Sequence, residues 1–235
     1  MVSLRELGAL LILAGAQLTS CDSKEPWLFQ SEKKWDQQWR SGQWEYMDKV
    51  AVERSKIAVM GVLVQIYSNA TGSVLDIGCG EGSLADFLTP EQKHKYVGVD
   101  LSKEAVLSGR RKRKGLRFVH AAAHQFRPRQ ERMHYDTIVF ADMLYYVEYE
   151  NVLKQFNGYL SPNGVLVVSI FHHTDTLMYK NIFDYAAKIF DKVDEMDVSG
   201  TTKKQAHSSK IETTKVAFHI EVYRKRTNET STLLP

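Results

Sequence analysis

A short β-branched segment that runs into a cluster of glycines constrains this chain more than any other part of its 235 residues. It reads Val74-Leu-Asp-Ile-Gly78-Cys-Gly80-Glu-Gly82, and a helix-compatible stretch begins at Ser83. Glycines at this spacing permit positive φ angles and let a ligand approach the backbone closely. The pattern predicts a strand, a ligand-binding turn and then a helix, as in Rossmann-like α/β domains.

Residues in and after this loop indicate what kind of ligand it binds. The dinucleotide fingerprint G-x-G-x-x-G needs a third glycine where this chain has Ser83. The carboxylates of Asp76 and Glu81 would repel a pyrophosphate at a helix N-terminus, but not a ligand with an amino group, a sulfonium and no phosphate. Asp100 ends a second predicted strand about twenty residues further on, where Rossmann-type proteins place an acid for ribose hydroxyls. Leu101 beside it could pack on an adenine face.

Strands and helices alternate after residue 72, which indicates βαβ units and a mostly parallel sheet. The predicted strands are 73–77, 96–100, 116–120, 135–141, 164–171 and 216–223, and the helices between them are 102–112, 148–159 and 178–190. An earlier helical pattern runs from Asp48 to about Ser68. Its predicted apolar stripe consists of Val52, Val59, Val62, Leu63 and Ile66.

Over residues 31–226 the sequence resembles the class I S-adenosylmethionine-dependent methyltransferases, because V-L-D-I-G-C-G-E-G is similar to the first motif of that family. The resemblance implies an α/β, Rossmann-like, seven-stranded doubly wound sheet with strand order 3-2-1-4-5-7-6 and an N-terminal helical lid. It also implies S-adenosylmethionine as cosubstrate and S-adenosylhomocysteine as product. The implied cosubstrate residues are Asp76, Gly78, Cys79, Gly80, Gly82, Asp100, Leu101, Ala122, Ala123 and Asp142.

The third strand departs from the family pattern. The family often has an acid after this strand that binds the adenine amino group, whereas Ala122 stands at the matching position here. The resemblance therefore leaves adenine recognition to backbone groups near Ala123 or to His124.

The acceptor side is predicted after the fourth strand. Ala141-Asp-Met-Leu-Tyr-Tyr146 is similar to the S-E-V-L-Y-Y segment of NodS-like N-methyltransferases, and the N-P-P-[FYW] motif of nucleic-acid amino-methyltransferases is absent from this position. Asp142 is the leading polar candidate, with Tyr145 and Tyr146 as pocket walls. Alternatively, Asp142 caps a helix and the two tyrosines belong to the core.

Two histidines and an aromatic segment complete the predicted site. His172 and His173, just beyond the fifth strand, are further candidates for a general base, although hydrogen-bonded loop histidines are a plainer interpretation. Trp44 and Tyr46 are predicted to lid the pocket, with Gly42 as a hinge. Trp35 and Trp39 lie four residues apart and share one helical face, and the whole aromatic segment could instead close the core.

Charge and residue spacing limit the partners. The formal net charge of +3 does not indicate nucleic acid by itself, and the basic run Arg110–Lys114 is typical of a solvated helix end. No His/Cys/Asp cluster has metal-ligand spacing, so no metal is expected. The predicted function is methyl transfer to an amine or hydroxyl of a small molecule. Alternatives are an RNA or protein methyltransferase and an inactive methyltransferase-like scaffold, and the sequence gives no indication of oligomeric state.

The N-terminus leaves location open. We expect a leader or extra helix over 1–21, a linker and helical lid over 22–72, the core domain over 73–226 and a polar tail over 227–235. Leu7–Ala16 has the length of a signal-peptide apolar region, and Leu18–Cys21 resembles a lipobox, so export or lipid anchoring is an alternative. A cytoplasmic location is favoured because the cosubstrate is made there. No run reaches the ~18 apolar residues of a transmembrane helix.

Overall fold

One sheet organises the part of the chain that the computed structural model describes, which is residues 30–130, 134–172, 177–205 and 211–226. Its seven strands are β1 (Val74–Ile77), β2 (Tyr96–Asp100), β3 (Arg117–His120), β4 (Tyr135–Ala141), β5 (Leu160–His172), β6 (Phe190–Gln205) and β7 (Ile211–Lys225). They are ordered β3-β2-β1-β4-β5-β7-β6. The fold class and the strand order implied by the resemblance are therefore confirmed.

Helices cover both faces of this sheet, and the N-terminal helical region is present as expected. The helices are α1 (Glu32–Arg40), α2 (Ala51–Tyr67), α3 (Pro90–His94), α4 (Lys103–Lys112), α5 (Tyr149–Asn157) and α6 (Leu177–Ile189), with 3-10 turns at Glu45–Asp48, Ser83–Phe87, Ala123–Gln125 and Leu144–Tyr146. One core forms between the sheet, α5 and α6, and a second forms between the sheet, α2 and α4. No helix among the described residues is both long enough and apolar enough to cross a membrane.

The position of the site follows from the strand order. Strands β1 to β5 pair in parallel, and the chain crosses from β2 and β3 on one side of β1 to β4 on the other. A crevice opens at the carboxyl ends of the strands where the order reverses in this way. Here it lies beyond Ile77, between the ends of β2 and β4.

The antiparallel edge was only partly predicted. Strand β7 was expected over 216–223 and extends over Ile211–Lys225, whereas the sixth strand of the expected order had no residues assigned to it. Strand β6 carries many charged residues because it forms the sheet edge, and its apolar positions are too sparse to form a recognisable alternation. Residues 200–205 and 211–215 form the far ends of the two strands, with Thr201 paired to Lys215.

The apolar stripe predicted for α2 was partly wrong. Val62 and Ile66 are 53% and 64% exposed, although Val52 and Leu63 are buried and Val59 is half-buried. Compared with the predicted stripe, the buried face is rotated around the helix axis. It includes positions outside the prediction, two of which are charged. Its members are Val52, Glu53, Lys56, Ile57, Met60, Gly61, Leu63 and Val64.

A polar cluster lies on the β6–β7 ribbon, away from the crevice. His219 contacts Asp197 through Nδ1 at 2.6 Å and Glu221 through Nε2 at 3.2 Å. Glu195, His219 and Glu221 are the one group among the described residues that could hold a metal ion, a group that sequence spacing did not reveal. Lys192 Nζ already contacts Glu195 at 2.6 Å and Glu221 at 3.4 Å, so the carboxylates are balanced by a cation of the chain itself.

Replacing Gly61 with alanine tests the packing of α2. A Cβ atom at Gly61 would lie 2.5 Å from Phe87 Cβ and 3.2 Å from Phe87 O. The overpacking cost of about 1–3 kcal/mol should exceed the gain of about 1 kcal/mol in helix propensity. We therefore expect Gly61→Ala to lower the urea midpoint, while Val62→Ala on the exposed face changes stability by less than about 0.5 kcal/mol. A Gly61→Ala protein as stable as the parent would contradict this packing.

Candidate active site

A cavity of about 760 Å³ occupies the crevice at the strand ends, within the range of about 300–1,000 Å³ that is usual for small-molecule sites. Its lining divides according to the sheet order. On what we call the β2 side are Asp100, Leu101 and residues 121–125; on the β4 side are Glu53, Lys56, Asp142, Phe171 and Phe218. The glycine loop lies between the two sides, as expected if it bridges two halves of one ligand.

The glycine loop has the backbone conformation that its sequence predicts. Gly78, Gly80 and Gly82 have φ angles of 71°, 54° and 82°. Gly78 and Gly80 line the cavity, where a Cβ on Gly78 would lie 2.8 Å from Met143 Cβ. A Cβ on Gly82 would instead lie 2.8 Å from Phe118, and Cys79 is buried. Thus Gly78 and Gly80 border the cavity and let Met143 and Trp39 pack against the loop, while Gly82 and Cys79 serve the packing behind the loop.

Asp100 connects this loop to the β2 side. Its Oδ2 accepts a hydrogen bond from the Gly80 N–H at 2.8 Å, and its Oδ1 accepts one from the Ser102 N–H at 2.7 Å. Burial raises the pKa of Asp100, and these two backbone donors oppose the rise. An ionised carboxylate accepts about four hydrogen bonds, so Asp100 retains capacity for hydroxyl groups in the cavity. Leu101 and the half-turn containing His124 lie beside it on the cavity wall.

Asp76 lies beneath the loop, not in the main cavity. The Tyr96 hydroxyl donates to Asp76 Oδ2 at 2.7 Å, and Oδ1 is buried without a hydrogen-bond partner among the described residues. Burial raises the pKa of Asp76 to about 7, while the Tyr96 hydrogen bond opposes the rise. Asp76 was predicted to lie near the methionine portion of a ligand. In the structure the backbone of the glycine loop lies between its carboxyl group and the main cavity.

The aromatic residues before α2 form the roof of the cavity. Trp35, Trp39, Trp44 and Tyr46 all line it. Trp35 lies 5.6 Å from Trp44, and it lies 5.0 Å from Tyr146, edge to face, so the roof touches the loop after β4. The Trp44 indole nitrogen is buried and has no hydrogen-bond partner among the described residues.

A hydrogen bond fixes this roof to the β2 side. Asp36 of α1 accepts from the Ser102 hydroxyl at 2.7 Å and from the Glu104 N–H at 3.2 Å. These donors lie at the N-terminus of α4, where the helix dipole favours a carboxylate. Ser102 also caps α4, since its hydroxyl accepts from the Ala105 N–H.

The β4 side contains a buried ionic cluster formed by Glu53, Lys56 and Asp142. Lys56 is 1% exposed, and its ammonium contacts Asp142 Oδ2 and, at 2.8 Å, Glu53 Oε2. Burial lowers the pKa of Lys56, but the two carboxylates outweigh burial and raise the pKa overall, so the ammonium form is held. Asp142 has a φ angle of 51°, in the left-handed region that residues other than glycine rarely adopt. Strained residues of this kind are concentrated at functional sites.

Sequence analysis missed Glu53 and Lys56. The sequence does contain a signal for both residues, because positions 53, 56, 57, 60 and 63 follow helical spacing and share one face of α2. Charged residues at core positions of a helix are almost never fully buried unless they are paired. That irregularity in the α2 pattern would have identified both residues.

The structure brings most of the other candidates together, and the side chains of two, His172 and His173, are not described. Tyr145 and Tyr146 line the cavity with Asp142, their ring centroids 4.5 Å apart, and burial raises the pKa of Tyr146 to about 12. His172 ends β5 opposite Ala217, but its side chain lies outside the described residues, as do His173 and the leader through Cys21.

The basic run at the end of α4 is largely engaged within the chain. Arg110 donates to Phe118 O at 2.8 Å, Lys112 pairs with Glu81, and Arg113 donates to Asp86 at 2.8 Å. Within this run, Arg111 and Lys114 are exposed and make no such contact with the residues that the structure describes.

Comparison of the sequence with known protein families agrees with this fold and this site. A sequence model of the methyltransferase domain family matches residues 53–212, more than half of the chain. The chain belongs to this family. It is a methyltransferase, and the expectation of the class I S-adenosylmethionine-dependent type is confirmed. Among curated proteins, no sequence matches it.

Solved structures share the fold of this methyltransferase. The N-methyltransferase NodS from Bradyrhizobium japonicum WM9, in complex with S-adenosyl-L-homocysteine, is 17% identical with a TM-score of 0.62, over 94% of this chain and 99% of NodS. A TehB-like SAM-dependent methyltransferase from Corynebacterium glutamicum is 15% identical with a TM-score of 0.53, over 83% and 98%. The plantazolicin methyltransferase BpumL, solved with a desmethyl-plantazolicin analogue and SAH, is 17% identical with a TM-score of 0.54, over 83% and 96%.

The lysine at the centre of the ionic cluster should contribute more to stability than a surface lysine does. Lys56→Met would leave Glu53 and Asp142 buried without their cation, and loss of one partner from a buried pair costs about 3–5 kcal/mol. Lys180→Met, which removes an exposed pair with Asp184 on α6, should cost about 0.3–0.5 kcal/mol. Urea unfolding at pH 7 measures both variants, and equal losses would show that the cluster is not buried as described.

Asp76 should make stability depend on pH. Its pKa is raised from 3.8 to about 7 in the folded state, so the folded protein binds this proton more tightly than the unfolded chain does. The contribution of Asp76 to stability is therefore fully present below pH 4 and is lost as the pH rises to about 7. We expect Asp76→Asn to be more stable relative to the parent at pH 8 than at pH 5, as measured by urea unfolding. The opposite order would indicate that Asp76 is ionised in the folded state at pH 5.

Proposed function

We propose that this methyltransferase transfers the methyl group of S-adenosylmethionine to an amine or hydroxyl group of a small molecule. The observation that carries the proposal is the roofed cavity, which has the size of a small-molecule site and joins a ribose-binding carboxylate to a polar cluster. A macromolecular acceptor needs an open approach to the reacting atoms. The roof of Trp35, Trp44 and Tyr46 favours a small acceptor instead.

The residues of the β2 side and of the glycine loop suit the cosubstrate. Asp100 would accept hydrogen bonds from the ribose hydroxyls, and Leu101 with Ala122 and Ala123 would surround the adenine. Gly78 and Gly80 line the cavity, where a cosubstrate would approach the backbone of the loop. Without an acid at position 122, the adenine amino group would depend on backbone carbonyl groups or on His124.

The chemistry mainly requires alignment. When bound, S-adenosylmethionine supplies a methyl group on a sulfonium, which an acceptor lone pair displaces in line. Holding the two reactants in position can contribute about 7–11 kcal/mol toward the barrier. Tyr145, Tyr146 and Trp44 would hold the acceptor against the strand ends. A proton must also leave the acceptor, and Asp142, His172 and His173 are the candidates that the sequence indicated.

Two other functions are less well supported. An RNA or protein substrate predicts a continuous basic surface, whereas Arg110, Lys112 and Arg113 are engaged with groups of the chain itself. An inactive scaffold predicts a damaged cosubstrate site, whereas the positive φ angles of the glycine loop and the Asp100 contacts are intact.

Binding of the cosubstrate and its product tests the first half of the proposal. We expect calorimetry to show binding of S-adenosylmethionine and S-adenosylhomocysteine to the full chain, and Asp100→Ala to weaken both at least tenfold because ribose and loop contacts are lost together. Asp184→Ala, an exposed residue of α6, should bind as the parent does. Production of S-adenosylhomocysteine with a panel of amines and alcohols then tests turnover.

Folded protein that binds neither ligand would overturn the proposal. Binding without turnover on any acceptor of the panel would favour the scaffold alternative.

A further inference from the structure

Glu53 is a buried acid that faces the cavity and has an oxygen to spare. It is 5% exposed, it lines the cavity, and its Oε2 accepts from Lys56 Nζ at 2.8 Å. Its other oxygen, Oε1, accepts no hydrogen bond from any residue that the structure describes. A carboxylate oxygen at a cavity wall that has no donor in the chain can accept a hydrogen bond from a ligand. A donor on a molecule in the cavity would satisfy it.

Lys56, in contrast, has no capacity left for a ligand. Two of its three N–H groups point to Glu53 and Asp142, and Phe218 covers the ammonium with its ring centroid 4.2 Å from Nζ. An anionic acceptor would have to displace one of these partners. Lys56 is therefore a positioning residue that allows two carboxylates to lie together in a buried place.

Asp142 is also engaged on both oxygens. Its Oδ2 contacts Lys56, and its Oδ1 accepts from the Ser169 hydroxyl at 3.0 Å. Its main-chain N–H donates to Ser169 O at 2.9 Å, so the residue is fixed to β5. Of the three members of the cluster, Glu53 is thus the one with a carboxylate oxygen that no described residue contacts.

The charges of the cluster do not cancel. Two carboxylates and one ammonium carry a net charge of −1 when all three are ionised. The rings of Tyr46, Tyr146, Phe171 and Phe218 also line this side of the cavity, and Glu148 adds a further acidic residue to the lining. A cation among aromatic faces and a buried carboxylate gains from both. A neutral alcohol would leave the excess charge uncompensated, and an anion would be repelled.

We propose that the β4 side binds an acceptor whose methylated atom is an amine nitrogen arriving as an ammonium ion, and that Glu53 takes the proton that must leave it. This inference rests on the proposed function. The Glu53 carboxylate receives one N–H proton, which leaves a neutral amine with its lone pair. That lone pair forms the new N–C bond, and the electrons of the breaking S–CH3 bond remain on sulfur. The product is a methylated ammonium ion and a neutral sulfide.

The surroundings of Glu53 suit this role. Burial raises its pKa and Asp142 adds to the rise, while Lys56 opposes it. A carboxylate with a raised pKa is a stronger base than an exposed one and matches better a proton donor such as an ammonium ion. Lys56 opposes this rise and so favours the ionised form, which is the form that binds a cation.

Matched ligands test the preference for a cation. The probes are phenethylamine, benzylamine and cyclohexylamine, each paired with the alcohol and the carboxylate of the same skeleton. Each is titrated by calorimetry into the full chain saturated with S-adenosylhomocysteine. We expect at least one amine to bind tenfold or more tightly than its alcohol, and the carboxylates to bind more weakly still.

Glu53→Gln then assigns the preference to one residue, because it removes the charge and keeps the size of the side chain. We expect the preference for the amine to fall below threefold, while affinity for S-adenosylhomocysteine stays within twofold of the parent. Glu91→Gln, an exposed residue of α3 outside the cavity, should keep the full preference. With any amine that is turned over, Glu53→Gln should lower kcat more than it raises KM and should remove the Glu53 ionisation from the pH profile.

The outcomes separate the two proposals. A chain that does not bind S-adenosylhomocysteine contradicts the proposed function. A chain that binds it but binds no amine of the set more tightly than the matching alcohol contradicts the cationic acceptor. A preference for amines that survives in Glu53→Gln shows that Glu53 is not the residue responsible.

Discussion

The buried contact between Lys56 and Asp142 joins the two parts of the molecule that make the site. Lys56 belongs to α2, in the segment before the sheet, and Asp142 follows β4 at the centre of the sheet. The pair therefore fixes α2 over the strand ends, and through α2 it fixes the roof that precedes this helix. A buried ion pair depends strictly on geometry, because each charge loses its water and only its partner compensates. Movement of α2 by an ångström or two would leave charges uncompensated, so the shape of the acceptor side is tightly constrained.

A chain of hydrogen bonds holds the roof at the other side of the cavity. It runs from Asp36 in α1 to Ser102, from the Ser102 N–H to Asp100, and from Asp100 to the Gly80 N–H. The roof, the Asp100 carboxylate and the glycine loop are thus consecutive members of one network, which joins the wall of the cavity on the β2 side to the helix that covers it.

The two sides of the cavity differ in chemistry in a way that suits methyl transfer. The β2 side is largely apolar around one carboxylate, Asp100, which can accept hydrogen bonds from hydroxyl groups. Aromatic rings around an ionic cluster dominate the β4 side, where Asp142 keeps a strained backbone because both Lys56 and Ser169 hold its side chain. Such strain persists only where neighbouring contacts determine the position of the residue more than its own preference does.

The sequence by itself determined the local parts of this protein. The Val74–Gly82 segment specified strand and loop because only glycine adopts the positive φ angles freely, and Asp100 was placed by its distance from that loop. The Trp44 and Tyr46 region was expected near the pocket, and the structure places it there. These features depend on residues close together in the chain, so spacing is enough to predict them.

Only the tertiary structure decided which distant residues meet. Glu53 and Lys56 read as surface charges until α2 is rotated so that Val62 and Ile66 face solvent, and that rotation is set by packing on β5, β6 and β7. Phe171 and Phe218 read as ordinary strand residues until β5 and β7 pair. Asp76, expected near the ligand, lies beneath the loop because its strand is buried on both faces. In each case the role depends on a contact between segments far apart in the chain, and local propensity carries no information about such contacts.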